Sequence, residues 1–223
     1  MKVGDDEGLQ LYYGDLDKLY ELHGHNFSDY LSKADLARAA RFRQQSLADR
    51  FLASHFLMFE ALKDFTGEAV DVHKNHFEPF EKPVIPYPCC HFSLSRSSGI
   101  AVVLVNRRFP VGVDVESRRE LRDVDALAKR VLSSQERQDL DKIDYREKPD
   151  AFLSYWRMKE AILKATGEGL SRDPREISLR WQEASLVPAK LPVDYGNLDQ
   201  WETGQINLPD DFPEAAWAIW KPA

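Results

Sequence analysis

The stretch from residue 111 to residue 116, Val-Gly-Val-Asp-Val-Glu, places the tightest limit on what this chain can fold into. Apolar side chains alternate with others at a period of two, which is typical of a half-buried β-strand. Successive side chains of a strand point to opposite faces, so Asp114 and Glu116 share one face. Two neighbouring carboxylates repel each other unless a cation lies between them. The strand therefore predicts a site that receives positive charge.

A second stretch, from residue 156 to residue 164, has the periodicity of a helix. It reads Trp-Arg-Met-Lys-Glu-Ala-Ile-Leu-Lys, and positions 156, 160 and 164 share a face because they are spaced by four. A carboxylate, Glu160, and an ammonium, Lys164, therefore project from one side of this helix. Mg²⁺ takes oxygen ligands and is usually held by a few carboxylates together with substrate phosphates. The two stretches together predict a Mg²⁺–phosphate site formed by Asp114, Glu116, Glu160 and Lys164.

Composition limits the class of protein and its location. The 223 residues are 43% hydrophobic, enough for a packed core in one domain or in two compact halves. The net charge of −7 argues against a general nucleic-acid binder. No apolar run reaches the length of a membrane span, and the first residues lack the pattern of a signal peptide. The two cysteines are adjacent, which fits a reducing compartment, so we expect a cytoplasmic protein without a membrane partner.

Helical and strand patterns alternate along the chain and predict an α+β fold. We expect helices within residues 34–64, near 123–132 and 134–142, and from about Lys148 to Ala165, before Gly167. Strands are predicted at residues 91–95, 99–105, 177–181 and 215–220, in addition to the carboxylate strand. Residues 106–110 form the expected joint between the halves, which gives two subdomains, 1–106 and 107–223. No internal sequence repeat is visible.

The two motifs, G-V-D-V-E at 112–116 and W-x-x-K-E-A-x-x-K at 156–164, resemble the signature pair of the 4′-phosphopantetheinyl transferases. The resemblance is to the two-subdomain, surfactin-synthetase-activating type. It implies two similar α+β subdomains related by a pseudo-twofold axis, each a small antiparallel sheet packed with helices, and coenzyme A between them. It also implies transfer of the phosphopantetheine arm of coenzyme A to a serine of an apo acyl or peptidyl carrier protein. The expected protein is a monomer that uses Mg²⁺, with Mn²⁺ as an alternative, and releases 3′,5′-ADP.

The resemblance also implies roles for particular residues. Asp114 and Glu116 become metal ligands, Glu160 a third ligand or the base that takes the serine proton, and Lys164 a cation for the phosphates. Coenzyme A contacts are expected mainly in the N-terminal subdomain. The segment 92–97, Phe-Ser-Leu-Ser-Arg-Ser, has an arginine where the family usually has a histidine. The full set of predicted coenzyme A contacts is Arg38, Arg41, Arg50, Lys82, Ser95, Arg96, Lys159 and Lys164.

Each of these assignments has an ordinary structural alternative. Glu160 and Lys164 have the spacing of a surface ion pair, and arginines on a helix are often simply solvated. A basic stretch after Glu116 is expected to dock the carrier protein, although it is also compatible with an ordinary charged helix face; its cations are Arg118, Arg119, Arg122, Lys129 and Arg130. Two other functions remain open, a Mg²⁺-dependent pyrophosphohydrolase and a non-catalytic module that binds coenzyme A or a carrier.

Overall fold

The computed structural model describes residues 2–4, 8–68, 90–117, 121, 123–209 and 212–222. The chain divides into two compact units, Met1–Arg108 and Phe109–Ala223. The boundary expected between residues 106 and 107 lies two residues before this division. Each unit combines helices with antiparallel strands, so the predicted α+β class is confirmed.

In the described part of the first unit, helices pack on a four-stranded antiparallel sheet with the strand order β1-β2-β4-β3. The strands are β1 (Lys2–Gly4), β2 (Leu9–Asp15), β3 (His91–Ser97) and β4 (Ile100–Asn106). The helices are α1 (Leu16–His23), α2 (Phe27–Tyr30), α3 (Lys33–Ala39) and α4 (Gln45–Thr66). The sequence predicted β3 and β4 but not β1 and β2. Ser98 and Gly99 have φ values of 48° and 87°, which close the two-residue turn between β3 and β4.

The described part of the second unit combines helices with a main sheet and a separate hairpin. Its main sheet has the order β5-β9-β8, with β5 (Val111–Val115), β8 (Trp201–Ile206) and β9 (Ala215–Trp220), all antiparallel. A separate hairpin joins β6 (Ser178–Gln182) to β7 (Ser185–Lys190). The helices are α5 (Val124–Val131), α6 (Ser134–Leu140) and α7 (Lys148–Thr166). The predicted helices and strands of this half are confirmed, and β7 and β8 are additions.

The two units repeat one topology. In the first unit, β2 is followed by helices ending with the long α4 and then by β3 and β4. In the second, β5 is followed by helices ending with the long α7, then by the β6–β7 hairpin, β8 and β9. The final strands β4 and β9 each pair with the strand just before them and also with β2 or β5, which gives the orders β2-β4-β3 and β5-β9-β8. Both long helices end in Thr-Gly, and Gly67 and Gly167 have φ values of 76° and 85°, as a left-handed helix cap requires. The predicted similarity of the two subdomains is therefore visible in strand order, although not in the sequence at large.

Helix α7 lies unusually close to strand β5. A Cβ atom added at Gly112 would lie well inside van der Waals contact of the Ala161 carbonyl oxygen and 2.6 Å from the Ala165 nitrogen. Only glycine permits this approach of a helix backbone to a strand. All five residues of β5 are buried, so the expectation of a half-buried strand is wrong, because α7 covers the carboxylate face. The same contact brings the helix face of Glu160 and Lys164 to Asp114.

Among the helices of the described residues, none is both long and apolar enough to cross a bilayer. The cytoplasmic location and the monomeric state expected from the sequence stay predictions.

Candidate active site

Asp114 and Lys164 form the central ion pair of the site. The Lys164 Nζ atom lies 2.7 Å from Asp114 Oδ1 and donates a second hydrogen bond, of 3.2 Å, to the Val113 carbonyl oxygen. The Asp114 side chain is 7% exposed, whereas the Lys164 side chain keeps 25% of its surface accessible. The strand therefore fixes a carboxylate in the interior, and the helix places over it a cation that still reaches solvent.

Glu160 lies one helical turn before Lys164 and is 9% exposed. Its Oε1 atom is buried and has no hydrogen-bond donor among the described residues. Burial raises the pKa of Glu160 to about 7; Lys164 opposes this shift, whereas the charges of Asp114 and Glu116 add to it. The three carboxylates predicted as ligands thus act on one another in the folded chain.

Sequence reasoning missed two charged residues at this site, Arg157 and Glu214. The Arg157 guanidinium forms an ion pair with Glu214 and donates a 3.2 Å hydrogen bond to Ser154 Oγ. Arg157 lies three residues before Glu160 and thus on the same side of α7, which was the available sequence signal. Glu214 carries no local signal, because it precedes strand β9 and approaches the site only through the pairing of β9 with β5.

The donor set has the chemistry that a hard divalent cation requires. Asp114, Glu116 and Glu160 supply carboxylate oxygens. The buried Glu160 Oε1 atom accepts no hydrogen bond from the described residues, and a bound cation would satisfy it. Within the described ranges, no three His, Cys, Asp or Glu side chains are grouped tightly enough to hold a metal ion by themselves. The residues fit Mg²⁺ in its usual mode, in which substrate phosphates and water complete the coordination.

Lys159 does not belong to the site, and its predicted contact with coenzyme A is corrected. Its side chain is fully buried, and its Nζ atom lies 2.7 Å from Glu136 Oε2. The same ammonium donates to three carbonyl oxygens at 2.7–3.0 Å, those of Val131, Pro174 and Ile177. An ammonium has three protons, and all of them are engaged in the interior. Lys159 is therefore a structural residue that ties α7 to three neighbouring segments.

In the first unit, two of the predicted arginines converge on Phe51 of helix α4. The guanidinium carbon of Arg38 lies 5.3 Å from the centre of the Phe51 ring, and that of Arg96 lies 5.1 Å from it. Arg96 also donates a 3.0 Å hydrogen bond to Ser54 Oγ. Although Arg96 keeps an exposed surface, packing around its guanidinium lowers its pKa, and the Arg38 charge lowers it further. Two like charges near one another favour the binding of an anion.

A cavity of about 250 Å³ opens beside Arg96. Arg50 and Arg96 line it together with the turn after β3 and several apolar side chains, among them Phe42 and Phe51. Arg50 is held in place by Asp17 through two hydrogen bonds of 2.8 and 2.7 Å.

The remaining predicted contacts are distributed differently. Ser95 is buried in β3, and Arg41 is exposed and does not line the cavity. Lys82 lies outside the described residues, as do Arg118, Arg119 and Arg122 of the basic stretch. Lys129 and Arg130 are exposed in the last turn of α5.

Comparison with known proteins identifies the family to which this chain belongs. The profile of the 4′-phosphopantetheinyl transferase superfamily (ACPS) matches residues 110–215. The 4′-phosphopantetheinyl transferase HetI of Nostoc sp. PCC 7120 is 31% identical over 200 residues, which cover 86% of this chain and 81% of HetI. Sfp of Bacillus subtilis is 29% identical over 176 residues, which cover 78% and 77%. The psf-1 protein of Bacillus pumilus is 32% identical over 166 residues, 68% of each chain. The chain therefore belongs to the 4′-phosphopantetheinyl transferase superfamily, as its two motifs predicted.

Proposed function

We propose that this protein transfers the 4′-phosphopantetheine arm of coenzyme A to a serine of an apo acyl or peptidyl carrier protein and releases 3′,5′-ADP. The observation that carries the proposal is the convergence of Asp114, Glu160 and Lys164 in a member of this superfamily. A buried carboxylate beside an ammonium offers both a proton acceptor and a cation for phosphate. Phosphoryl transfer depends chiefly on positioning and charge stabilisation, which such a set supplies.

The metal in this proposal is Mg²⁺ or Mn²⁺, held by Asp114, Glu116 and Glu160. Bound there, the ion would neutralise charge on the diphosphate of coenzyme A. The chemistry of the three carboxylates and the undonated Glu160 oxygen support this assignment.

The chain's own residues move the proton and stabilise the charge. The serine oxygen forms a bond to the β-phosphorus as the bond from that phosphorus to the oxygen bridging the α-phosphate breaks. Glu160 accepts the serine proton, directly or through one water molecule that it orients. Lys164 donates to the phosphate oxygens and stabilises the negative charge that leaves with 3′,5′-ADP.

The arginines around Phe51 are our candidates for the nucleotide end of coenzyme A. Arg38 and Arg96 offer forked donors suited to a phosphate, and Arg50 adds charge at the adjoining cavity. Arginine at position 96 keeps the cationic character of the histidine that is usual in the family. Because Ser54 and Phe51 fix its guanidinium, little side-chain entropy remains to be lost on binding.

Carrier docking is proposed for the basic stretch that includes the exposed Lys129 and Arg130 on α5. Charge complementarity there would raise the rate of encounter with an acidic carrier. The double variant Lys129→Glu/Arg130→Glu should raise the carrier KM and leave coenzyme A affinity unchanged. Equal carrier kinetics in variant and wild type would remove α5 from the docking surface.

Intact mass spectrometry of an apo carrier protein tests the transfer itself. After incubation with this protein, coenzyme A and Mg²⁺, the carrier should gain the mass of one phosphopantetheine arm. A chelator, Asp114→Asn or Glu160→Gln should each abolish the gain. Bound coenzyme A without a gain on any carrier would favour the non-catalytic module. Release of 3′,5′-ADP in the absence of a carrier would favour the pyrophosphohydrolase.

A further inference from the structure

The Arg157–Glu214 ion pair lies beside the carboxylate site, and the reaction proposed above does not use it. We infer that this pair sets the affinity of the site for a divalent cation and makes tight metal binding depend on the bound diphosphate. The inference rests on the proposed function, because it takes Asp114, Glu116 and Glu160 as the metal ligands. Arg157 and Glu214 act through their charges on the proposed metal ligands and are therefore positioning residues.

Strand register places Glu214 next to the ligands. Val115 of β5 pairs with Ala215 of β9, and Asp114 pairs with Ala216. The strands end there, and continuing the same antiparallel register by one position would bring Glu214 opposite Glu116. Side chains alternate across a sheet, so Glu214 belongs to the face that carries Asp114 and Glu116. The face therefore holds a fourth carboxylate.

Arg157 supplies the charge that balances this fourth carboxylate. It is 7% exposed, pairs with Glu214, and is held by Ser154 one turn earlier on α7. Its Nε atom is buried and has no hydrogen-bond partner among the described residues. Burial lowers the pKa of Arg157, and the charges of Glu214, Asp114, Asp150 and Glu116 oppose this shift. The guanidinium thus acts on the ligand carboxylates themselves, not only on its ion-pair partner.

A fixed cation among metal ligands has a definite electrostatic consequence. Arg157 attracts Asp114 and Glu116 and repels a divalent cation, so it weakens metal binding in the free protein. Glu214 limits this effect because it draws the guanidinium to itself. A diphosphate that enters the site brings negative charge, which offsets Arg157 and improves metal binding. By linkage, the metal must improve coenzyme A binding by the same factor.

The two partners therefore predict opposite effects of substitution. Removal of the Arg157 charge should tighten metal binding in the free protein, because Glu214 is then added to the negative charge around the ligands. Removal of the Glu214 charge should weaken it, because Arg157 is left to pair with the ligand carboxylates. A pair with only a structural role would give effects of the same sign, since either substitution would disturb the same packing.

Isothermal titration calorimetry with Mn²⁺, on the full chain with and without coenzyme A, measures both affinities. Without coenzyme A we expect Arg157→Gln to bind Mn²⁺ at least tenfold tighter than wild type and Glu214→Gln at least threefold weaker. Coenzyme A should improve the wild-type affinity and improve that of Arg157→Gln by a smaller factor. Arg157→Lys keeps the charge and should stay within threefold of wild type.

Arg175→Gln is the matched control, because it removes one arginine from an exposed ion pair with Asp173 in the same unit. It should bind Mn²⁺ as wild type does. The inference is overturned if Arg157→Gln and Glu214→Gln both weaken Mn²⁺ binding or both leave it unchanged. Carrier modification does not enter this measurement. A protein that shows these affinities but modifies no carrier would refute the proposed function alone, whereas an active enzyme with unchanged affinities would refute this inference alone.

Discussion

The buried Lys159–Glu136 pair provides the sharpest test of how the catalytic helix is held. Both side chains are fully buried, and the ion pair spans 2.7 Å. The two Glu136 oxygens also accept hydrogen bonds from the backbone nitrogens of Leu179, at 2.8 Å, and Ser133, at 2.6 Å. Lys159→Met keeps a long apolar stem but leaves the Glu136 carboxylate without its cation.

The expected cost follows from what remains buried in this variant. Removal of one partner from a buried ion pair costs about 3–5 kcal/mol, because the other charge stays desolvated. The three carbonyl oxygens that Lys159 satisfies lose their donor as well, which places the loss toward the upper end of that range. Against a total stability of about 5–15 kcal/mol, this is a large fraction.

The double variant Lys159→Met/Glu136→Gln separates charge from packing. It removes the uncompensated carboxylate, so it should recover about 1–3 kcal/mol relative to Lys159→Met alone. Urea unfolding followed by tryptophan fluorescence, with circular dichroism as a second probe, measures both variants. Isothermal titration calorimetry measures the coenzyme A affinity of Lys159→Met, which should fall only if Lys159 contacts coenzyme A. A Lys159→Met protein within about 1 kcal/mol of wild-type stability, with coenzyme A affinity reduced tenfold, would refute the structural role and restore the phosphate contact predicted from the sequence.

Three further predictions concern the site. Gly112→Ala should cost about 1–3 kcal/mol in urea unfolding and abolish carrier modification, because the new methyl group displaces α7 at Ala161; full activity would contradict the close contact. Glu160 has a folded pKa of about 7, above its ordinary 4.5, so its protonation stabilises the native state below pH 4.5, and that stabilisation is lost as the pH rises through 7. In EDTA, wild type should therefore lose about 3 kcal/mol relative to Glu160→Gln between pH 4.5 and pH 8, and parallel unfolding curves would argue against the raised pKa. Arg96→Leu should weaken coenzyme A binding about tenfold in calorimetry while Arg41→Leu does not, and equal losses would remove the preference for the cavity.

The elements that carry the site were predictable because their signals are local. Strand β5 follows from alternation within five residues, and α7 from a 19-residue stretch that Gly167 ends. The helix face of Glu160 and Lys164 follows from spacing alone. Burial on both faces of β5 was not predictable, because it depends on the approach of α7 to Gly112, a contact between residues about fifty positions apart.

Two adjacent charged residues show what local sequence patterns do not predict. Lys159 and Glu160 are neighbours in one motif, yet they serve different parts of the structure because consecutive helical residues point in different directions. Which of the two enters the core depends on where acceptors lie. Those of Lys159 come from Glu136, Val131, Pro174 and Ile177, and nothing within the motif indicates them. Charge type predicted a phosphate contact for both lysines of the motif, and only the geometry of Lys164 agrees with it.

Glu214 shows even more clearly that local sequence signals do not reveal every charged residue of the site. The motif gives three carboxylates and one lysine, a set whose electrostatics appear complete. The fourth carboxylate arrives through the β5–β9 pairing, about one hundred residues later in the chain, and brings Arg157 into the site as its counter-charge. Metal affinity depends on the sum of all charges near the ligands, so two enzymes with identical motifs can differ in it when residues like these differ. Under the proposed function, the motifs predict which atoms hold the metal, whereas the proposed effect on binding strength comes from residues that only the strand register brings together.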